Sequence, residues 1–186
     1  MTRPDFSGEG GLYRETRAMA VLAATRLVQI LARSRRTLVL AESCTAGLVS
    51  ELVARTGGAS AVLWGAFVCY TPEAKKLMLG LDGGVLARHG PAGMETAREM
   101  AVLALRKSGA GLSASVVGVA GPLGDGSPLP VGTVRIAVAL RSPAGETVFS
   151  EKELLFTGNR AEVRMQAAAS ALGELLKAAG EAAPRN

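Results

Sequence analysis

Three polar residues near the ends of two predicted strands offer the parts of an acyl-transfer site. Ser43 follows an apolar strand predicted at residues 37–41 and precedes a helical pattern, which is where open α/β sheets bind ligands. Lys75 is predicted on the first turn of a second helix, where burial and the helix dipole would lower the pKa of its amine. A neutral lysine could accept the Ser43 proton, and Tyr70 could relay or orient that proton. The alternative is that Ser43 caps a helix while Tyr70 and Lys75 are surface residues.

Backbone N–H groups at the start of the helix after Ser43 are candidates to hold an oxyanion, because they have no partner within the helix. These candidates belong to Cys44, Thr45, Ala46 and Gly47. The Cys44 thiol is a rival nucleophile, since a helix N-terminus favours a thiolate. No histidine is predicted beside it, so Ser43 is the preferred nucleophile.

Two further segments could bind the rest of a substrate. The loop at residues 121–132 is dense in Gly and Pro, and its backbone at Gly121 and Gly124 could approach a phosphate, although such loops are most often turns. Arg160 and Arg164 are predicted on the first turns of the last helix, where they could bind an anion or lie on the surface. Neither segment contains a phosphate-loop motif with its lysine.

The composition excludes several classes of protein. Two cysteines and the single His89, predicted in an exposed loop, are too few for a zinc site, so we expect no metal. The formal charge of +5 is scattered among acidic residues and aromatics make up 4% of the chain, so no nucleic-acid partner is predicted. No apolar run reaches the roughly 20 residues that cross a membrane, and no signal peptide is visible. We therefore expect a cytoplasmic protein.

The order of the predicted elements indicates an α/β fold, specifically a three-layer α/β/α sandwich with a mixed, mainly parallel sheet. The length of 186 residues and the 48% apolar content suit one domain at residues 13–180, between flexible tails at 1–12 and 181–186. Helices are predicted at about 13–33, 48–56, 72–80, 95–107 and 160–179, strands at 37–41, 61–70 and 112–120, and a hairpin at 132–156 with its turn at 142–145. Thr71 and Asn159 are the expected N-caps of two of these helices.

Four segments, taken in order, resemble the CinA C-terminal domain family: AESCTAG, CYTPEAK, GVAGPLGDGSPLPVGTV and FTGNRAEVRMQAAASAL. The resemblance covers about residues 17–178. Active members of that family hydrolyse the carboxamide of nicotinamide mononucleotide (NMN) to give nicotinate mononucleotide and ammonia, without metal or cofactor. It therefore implies an anionic nucleotide substrate and a homodimer, with the family's serine, lysine and tyrosine falling on Ser43, Lys75 and Tyr70. Some members carry a further domain, and we expect the free-standing form here.

This chain departs from the family pattern at several positions. Ala46 stands where a second glycine is usual, Val117 replaces a threonine, and Gly93 replaces a serine. The loop after AGP is altered at Leu123, Asp125 and Leu129. These changes leave two alternatives open, namely a nucleotide-binding or regulatory homologue without turnover, and a Ser-Lys amidase with a different substrate.

Overall fold

The computed structural model describes residues 10–124, 126–142 and 145–181. The helices in these ranges are α1 (Gly11–Arg33), α2 (Leu48–Ala54), α3 (Pro72–Ala74), α4 (Gly83–His89), α5 (Met94–Ser108) and α6 (Arg160–Glu181). The strands are β1 (Leu38–Glu42), β2 (Leu63–Val68), β3 (Leu112–Gly118), β4 (Thr133–Ser142) and β5 (Gly145–Leu155). A 3₁₀ turn spans Ala59–Ala61, and a π-helical turn at Lys75–Leu79 continues α3. Most of both predicted tails and the turn residues 143 and 144 lie outside the described ranges.

The strands form one mixed sheet in the order β2-β1-β3-β4-β5. β1 pairs in parallel with β2 and β3, while β4 pairs antiparallel with β3 and β5. Only β4 among the described strands runs against the others, although half of the pairings are antiparallel. The predicted α/β fold with a mixed sheet is confirmed.

Helices cover both faces of the sheet because its central strands are apolar on both sides. Leu38 and Leu40 of β1 pack in the larger core with α1, α2 and α6. Val39 and Ala41 point to the opposite face and pack in a second core with α5. The alternation follows from the two-residue period of a strand, and it produces the predicted three layers. None of the helices in the described ranges is long and apolar enough to cross a membrane.

The register of the parallel strands places three strand ends at one edge of the sheet. Glu42 ends β1 and lies level with Val68 of β2 and Val116 of β3. The chain therefore leaves all three strands close together, and the residues that follow each strand can build a common site.

Most predicted elements are confirmed with small differences at their ends, and one helix was missed. Thr71 Oγ1 accepts a hydrogen bond from Ala74 N, and Asn159 Oδ1 accepts from the N–H groups of residues 161 and 162, so both predicted caps are present. The missed helix is α4, which Asp82 caps. Its first two residues are glycines, which are weak helix formers and hid the pattern.

Candidate active site

The predicted nucleophile and base meet at the shared edge of the sheet. Ser43 Oγ and Lys75 Nζ are 2.8 Å apart, at hydrogen-bond distance. Ser43 is held in place by its own N–H, which donates to Val116 O in β3 at 2.9 Å. The N–H of Lys75 donates to Thr71 O, and the π-helical turn that begins at Lys75 directs its side chain inward.

Burial gives Lys75 the property that the predicted base requires. The residue is 1% exposed and forms none of the ion pairs that join described side chains. Burial lowers the pKa of the Lys75 amine below its ordinary value, with weaker opposing effects from the Cys69 and Cys44 thiols. The direction matches the prediction, and loss of hydration is its main cause.

An open cavity of about 360 Å³ gives a substrate access to this pair. Its lining residues come from the segments that follow the three parallel strands, from the start of α3 and the π-helical turn, from the connection between α4 and α5, and from the first turn of α6. They are Ser43, Cys44, Tyr70, Thr71, Pro72, Lys75, Pro91, Ala92, Gly118, Val119, Ala120, Gly121, Leu123 and Arg160. The segment at 91–92 was not singled out in the sequence, since only the fold brings it beside Ser43.

The Cys44 thiol is a poor rival to Ser43. Burial raises the pKa of Cys44 to about 12, with smaller opposing effects from nearby groups that include Lys75 and Arg164. A thiol with that pKa is protonated at neutral pH and is therefore a weak nucleophile. The preference for Ser43 rests on this burial as well as on its contact with Lys75.

Two of the four predicted oxyanion donors are occupied, which corrects the prediction. The fully buried Glu42 carboxylate accepts hydrogen bonds from the N–H groups of Gly47, Val49 and Ser50, at 2.9, 3.1 and 2.8 Å. The Ala46 N–H donates to Ser43 O. An acidic residue at the end of an apolar strand, just before a helix, was the available signal for this capping role.

Other backbone donors remain available in the cavity. The N–H groups of Cys44, Ala120 and Gly121 have no hydrogen-bond partner in another described residue, and all three residues line the cavity. The Thr45 N–H is also without such a partner, but Thr45 is fully buried and is not part of the lining. Gly124 is exposed and also lies outside the lining. Cys44 and Gly121 are therefore the predicted backbone donors that the structure places at the site.

Tyr70 and Arg160 lie together at the mouth of the cavity. The Tyr70 hydroxyl accepts a hydrogen bond from Arg160 Nη2 at 2.6 Å, and Arg160 Nη1 donates to Gly121 O. Tyr70 is 52% exposed and forms no hydrogen bond with Ser43 or Lys75, so the predicted proton relay is not assembled. Arg160 is exposed and can meet an anionic group that enters the mouth.

The other candidates from the sequence lie away from the reacting atoms. Arg164 donates to the carbonyl oxygens of Cys44 and Thr45 instead of facing an anion site. His89 is exposed as predicted, but it ends α4 instead of lying in a loop, and its Nδ1 is 3.6 Å from Glu95 Oε2. Within the described residues no group of three His, Cys, Asp or Glu side chains is arranged to hold a metal.

The departures from the family pattern fall in different environments. Ala46 has a positive φ of 51° but is exposed and does not line the cavity, so its methyl group leaves the site open. Val117 is buried in the core under α5, and Leu123 is 83% exposed at the cavity wall. A side chain at Gly93 would approach His89 O to 2.2 Å, so the local backbone is adapted to glycine.

The two remaining departures are in the sequence that follows β3. Leu129 lines a neighbouring cavity of about 260 Å³ that shares Pro91 and Ala92 with the first. Asp125 lies outside the described residues.

Comparison with known proteins agrees with the resemblance seen in the sequence. The family model of the CinA C-terminal domain matches residues 21–179. A CinA-like protein of Chlorobium phaeovibrioides is 37% identical over 148 residues, which cover 77% of this chain and 35% of that protein. A CinA-like protein of Anaeromyxobacter dehalogenans is 42% identical over 136 residues, which cover 73% of this chain and 32% of that protein. The chain thus spans about a third of the length of these curated relatives.

Solved structures of similar size share the fold. The crystal structure of the competence/damage inducible protein CihA from Agrobacterium tumefaciens is 34% identical and superposes with a TM-score of 0.80, covering 87% of this chain and 96% of that chain. A competence-damaged protein (CinA) superfamily protein from Escherichia coli is 26% identical, with a TM-score of 0.79 and coverage of 86% and 90%.

Proposed function

The chain belongs to the CinA C-terminal domain family, and we propose that it hydrolyses the carboxamide of NMN to nicotinate mononucleotide and ammonia. The observation that carries this proposal is the 2.8 Å contact between Ser43 Oγ and the buried Lys75 Nζ at the cavity. Family membership suggests the substrate, and the Ser-Lys pair supplies chemistry that suits amide hydrolysis.

In the proposed acylation step, Ser43 Oγ attacks the carboxamide carbon while neutral Lys75 Nζ takes the hydroxyl proton. The carbonyl oxygen becomes an oxyanion, for which the N–H groups of Cys44 and Gly121 are the candidate donors. When the tetrahedral intermediate collapses, Lys75 returns the proton to the departing nitrogen. Ammonia leaves, and the nicotinoyl group remains bound to Ser43 as an ester.

Deacylation follows the same steps with water as the nucleophile. Lys75 takes a proton from water, the hydroxide adds to the ester carbon, and the bond to Ser43 Oγ breaks. Ser43 recovers its proton from Lys75, and nicotinate mononucleotide is released as the acid. Each turn of this cycle consumes one NMN and one water, and it needs no other reactant.

The phosphate of NMN would lie at the mouth of the cavity in this proposal. Arg160 is exposed there and presents a guanidinium, the group best shaped for a phosphate. Its present partners, the Tyr70 hydroxyl and Gly121 O, are neutral acceptors that an anion can replace. We assign Tyr70 to orienting Arg160, and the homodimer implied by the family stays a prediction.

The decisive experiment measures ammonia release from NMN by the purified protein and by Ser43→Ala and Lys75→Ala variants. We expect turnover by the wild type and its loss in both variants. Lys76→Ala is the matched control, because Lys76 is the adjacent lysine but is exposed and outside the cavity lining. Absence of ammonia release by wild-type protein would reject the proposal, and nucleotide binding without product would favour a non-catalytic homologue.

A Ser-Lys amidase for another substrate is the second candidate function, favoured by Leu123. This large apolar side chain is 83% exposed on the cavity wall, where it could contact an apolar group that NMN lacks. Comparing NMN with nicotinamide riboside and nicotinamide separates the two candidates. If NMN is the substrate, removal of its phosphate or the Arg160→Ala change should lower kcat/KM about 10- to 100-fold.

A further inference from the structure

The turn that carries the nucleophile has an unusual backbone. Ala46 and Gly47 both adopt positive φ angles, 51° and 92°. For alanine this left-handed conformation costs roughly 1–2 kcal/mol, and it persists only where surrounding contacts enforce it. The residues between Ser43 and α2 are therefore held in a conformation that they would not adopt alone.

A buried carboxylate enforces this conformation from one side. Glu42, immediately before Ser43, accepts three N–H hydrogen bonds from Gly47, Val49 and Ser50. The first lies in the turn and the other two on the first turn of α2, so one side chain fixes the turn to the helix. Glu42 is 0% exposed and forms none of the ion pairs that join described side chains.

A guanidinium holds the same turn from the other side. Arg164, on α6, donates from Nε to Cys44 O at 3.1 Å and from Nη2 to Thr45 O at 2.5 Å. Two donors from one rigid group fix two successive carbonyl oxygens. The turn between Ser43 and α2 is thus bonded to a carboxylate through the Gly47 N–H and to a guanidinium through the carbonyl groups of Cys44 and Thr45.

These contacts fix the direction of the Cys44 N–H group, which has no hydrogen-bond partner in another described residue. The Ser43 carbonyl accepts from the Ala46 N–H at 3.1 Å. Because a trans peptide is planar, its N–H points opposite to its carbonyl, so the Cys44 N–H direction follows from this bond. The bond depends on the left-handed turn at Ala46, which Glu42 and Arg164 hold in place.

We propose that Glu42 and Arg164 form a two-sided clamp that positions the Cys44 N–H as an oxyanion donor next to Ser43 Oγ. This inference rests on the proposed function and adds two positioning residues to it. Neither side chain bonds to Ser43 Oγ or Lys75 Nζ, so both act through the backbone of the turn. Their effect should therefore appear in the chemical step and leave substrate binding intact.

The test measures kcat and KM for NMN in Arg164→Gln, Arg164→Lys and Glu42→Gln variants, together with the rate at which a fluorophosphonate labels Ser43. A fluorophosphonate needs the activated serine and its oxyanion donors but no nucleotide site. We expect kcat and the labelling rate to fall about 100-fold in Arg164→Gln with KM nearly unchanged. Arg164→Lys should recover part of the loss, because it keeps the charge but offers a single nitrogen where the guanidinium uses two.

Matched controls separate positioning from general destabilisation. Arg98→Gln removes a part-buried guanidinium that bonds Glu151, and Glu174→Gln alters another buried carboxylate; neither residue lines the cavity. Both controls should keep wild-type kcat per folded molecule, with the folded fraction measured by circular dichroism. Glu42→Gln should lower kcat like Arg164→Gln, and if it does not fold, the Arg164 series alone decides.

The outcomes distinguish this inference from the proposed function. Wild-type kcat and labelling rate in folded Arg164→Gln would overturn the clamp, even if the wild type hydrolyses NMN. If the wild type is labelled at Ser43 but releases no ammonia from NMN, the proposed substrate is wrong. The labelling rates of the variants then still test the clamp. Failure of wild-type Ser43 to label would overturn the clamp directly.

Discussion

Glu42 and Lys75 are both fully buried beside the nucleophile, yet their surroundings differ. The Glu42 carboxylate accepts three backbone N–H hydrogen bonds, which replace the water it has lost. Among the described residues, the Lys75 amine has one hydrogen-bond partner, the Ser43 hydroxyl, and it forms no ion pair. The two residues are almost equally buried, at 0% and 1% exposure, so their surroundings differ in the hydrogen-bond partners that each side chain has.

This contrast separates a structural ionisable group from a reactive one. A carboxylate whose hydrogen bonds are satisfied stabilises the turn that it caps. An amine buried without a carboxylate is destabilised in its charged form, and the neutral form is the one that can accept a proton. The partner set, more than burial itself, therefore supports the proposed roles of Lys75 as the base and of Glu42 as a positioning residue.

The largest expected effect is on catalysis when Lys75 becomes methionine. Lys75→Met keeps a similar volume but removes the base, so kcat for ammonia release should fall at least about 10³-fold. The free energy of unfolding should not fall, because an unpaired buried amine is replaced by an apolar side chain. Ammonia assays and urea unfolding measure the two effects, and a marked loss of stability would contradict the description of Lys75.

Glu42→Gln, unlike Lys75→Met, should lower the free energy of unfolding. The amide cannot accept all three N–H bonds, and its NH₂ group faces a donor, so the free energy of unfolding should fall by about 1.5–3 kcal/mol. Urea unfolding of Glu42→Gln and of Lys75→Met, each compared with wild type, measures the difference in the free energy of unfolding. Equal stability of Glu42→Gln and wild type would show that the carboxylate does not hold the turn.

The contrast also predicts a dependence on pH. The pKa of Lys75 is lowered from 10.5 in the folded protein, so between the lowered value and 10.5 the unfolded chain binds more protons. The penalty for a buried charge is complete below the lowered pKa and vanishes above 10.5. Wild type should therefore gain stability relative to Lys75→Met as the pH rises through this window, as measured by urea unfolding at several pH values.

The catalytic profile should follow the same group. As pH rises through the lowered pKa of Lys75, the amine loses its proton and kcat/KM should increase. The Cys44 thiol, whose pKa is about 12, does not titrate near neutrality. If kcat/KM did not change as the pH rises through the lowered pKa of Lys75, a neutral lysine base would be contradicted.

The smallest expected effect concerns Ala46, on the turn that Glu42 holds. Ala46→Gly removes the strain of φ 51° and should raise the free energy of unfolding by about 1 kcal/mol, with kcat little changed. Ala54→Gly is the matched control, because Ala54 is exposed at the end of α2, and there glycine should lower stability. The same sign in both variants would mean that the Ala46 turn is not strained.

Several parts of the site were predictable because they depend on local sequence. The junctions that carry Ser43 and Lys75 follow from strand and helix patterns, and the Thr71 and Asn159 caps follow from short-range hydrogen bonding. The oxyanion prediction was wrong at Ala46 and Gly47, because free N–H groups were assumed where a buried carboxylate and a turn bond occupy them. The roles of Glu42 and Arg164 depend on side-chain direction, which spacing does not reveal.

The sequence by itself determined the layered α/β fold, the residue types of the site and the family to which the chain belongs, because apolar periodicity and short motifs are local properties. Only the tertiary structure decided that Lys75 lies 2.8 Å from Ser43, that Tyr70 bonds to Arg160 at the mouth, and that two backbone donors are occupied. The first two contacts join residues 32 and 90 positions apart, and the occupied donors at Gly47 and Ala46 bond to residues 5 and 3 positions away. Parallel pairing of β1 with β2 and β3 aligns the strand ends and brings distant segments to one edge.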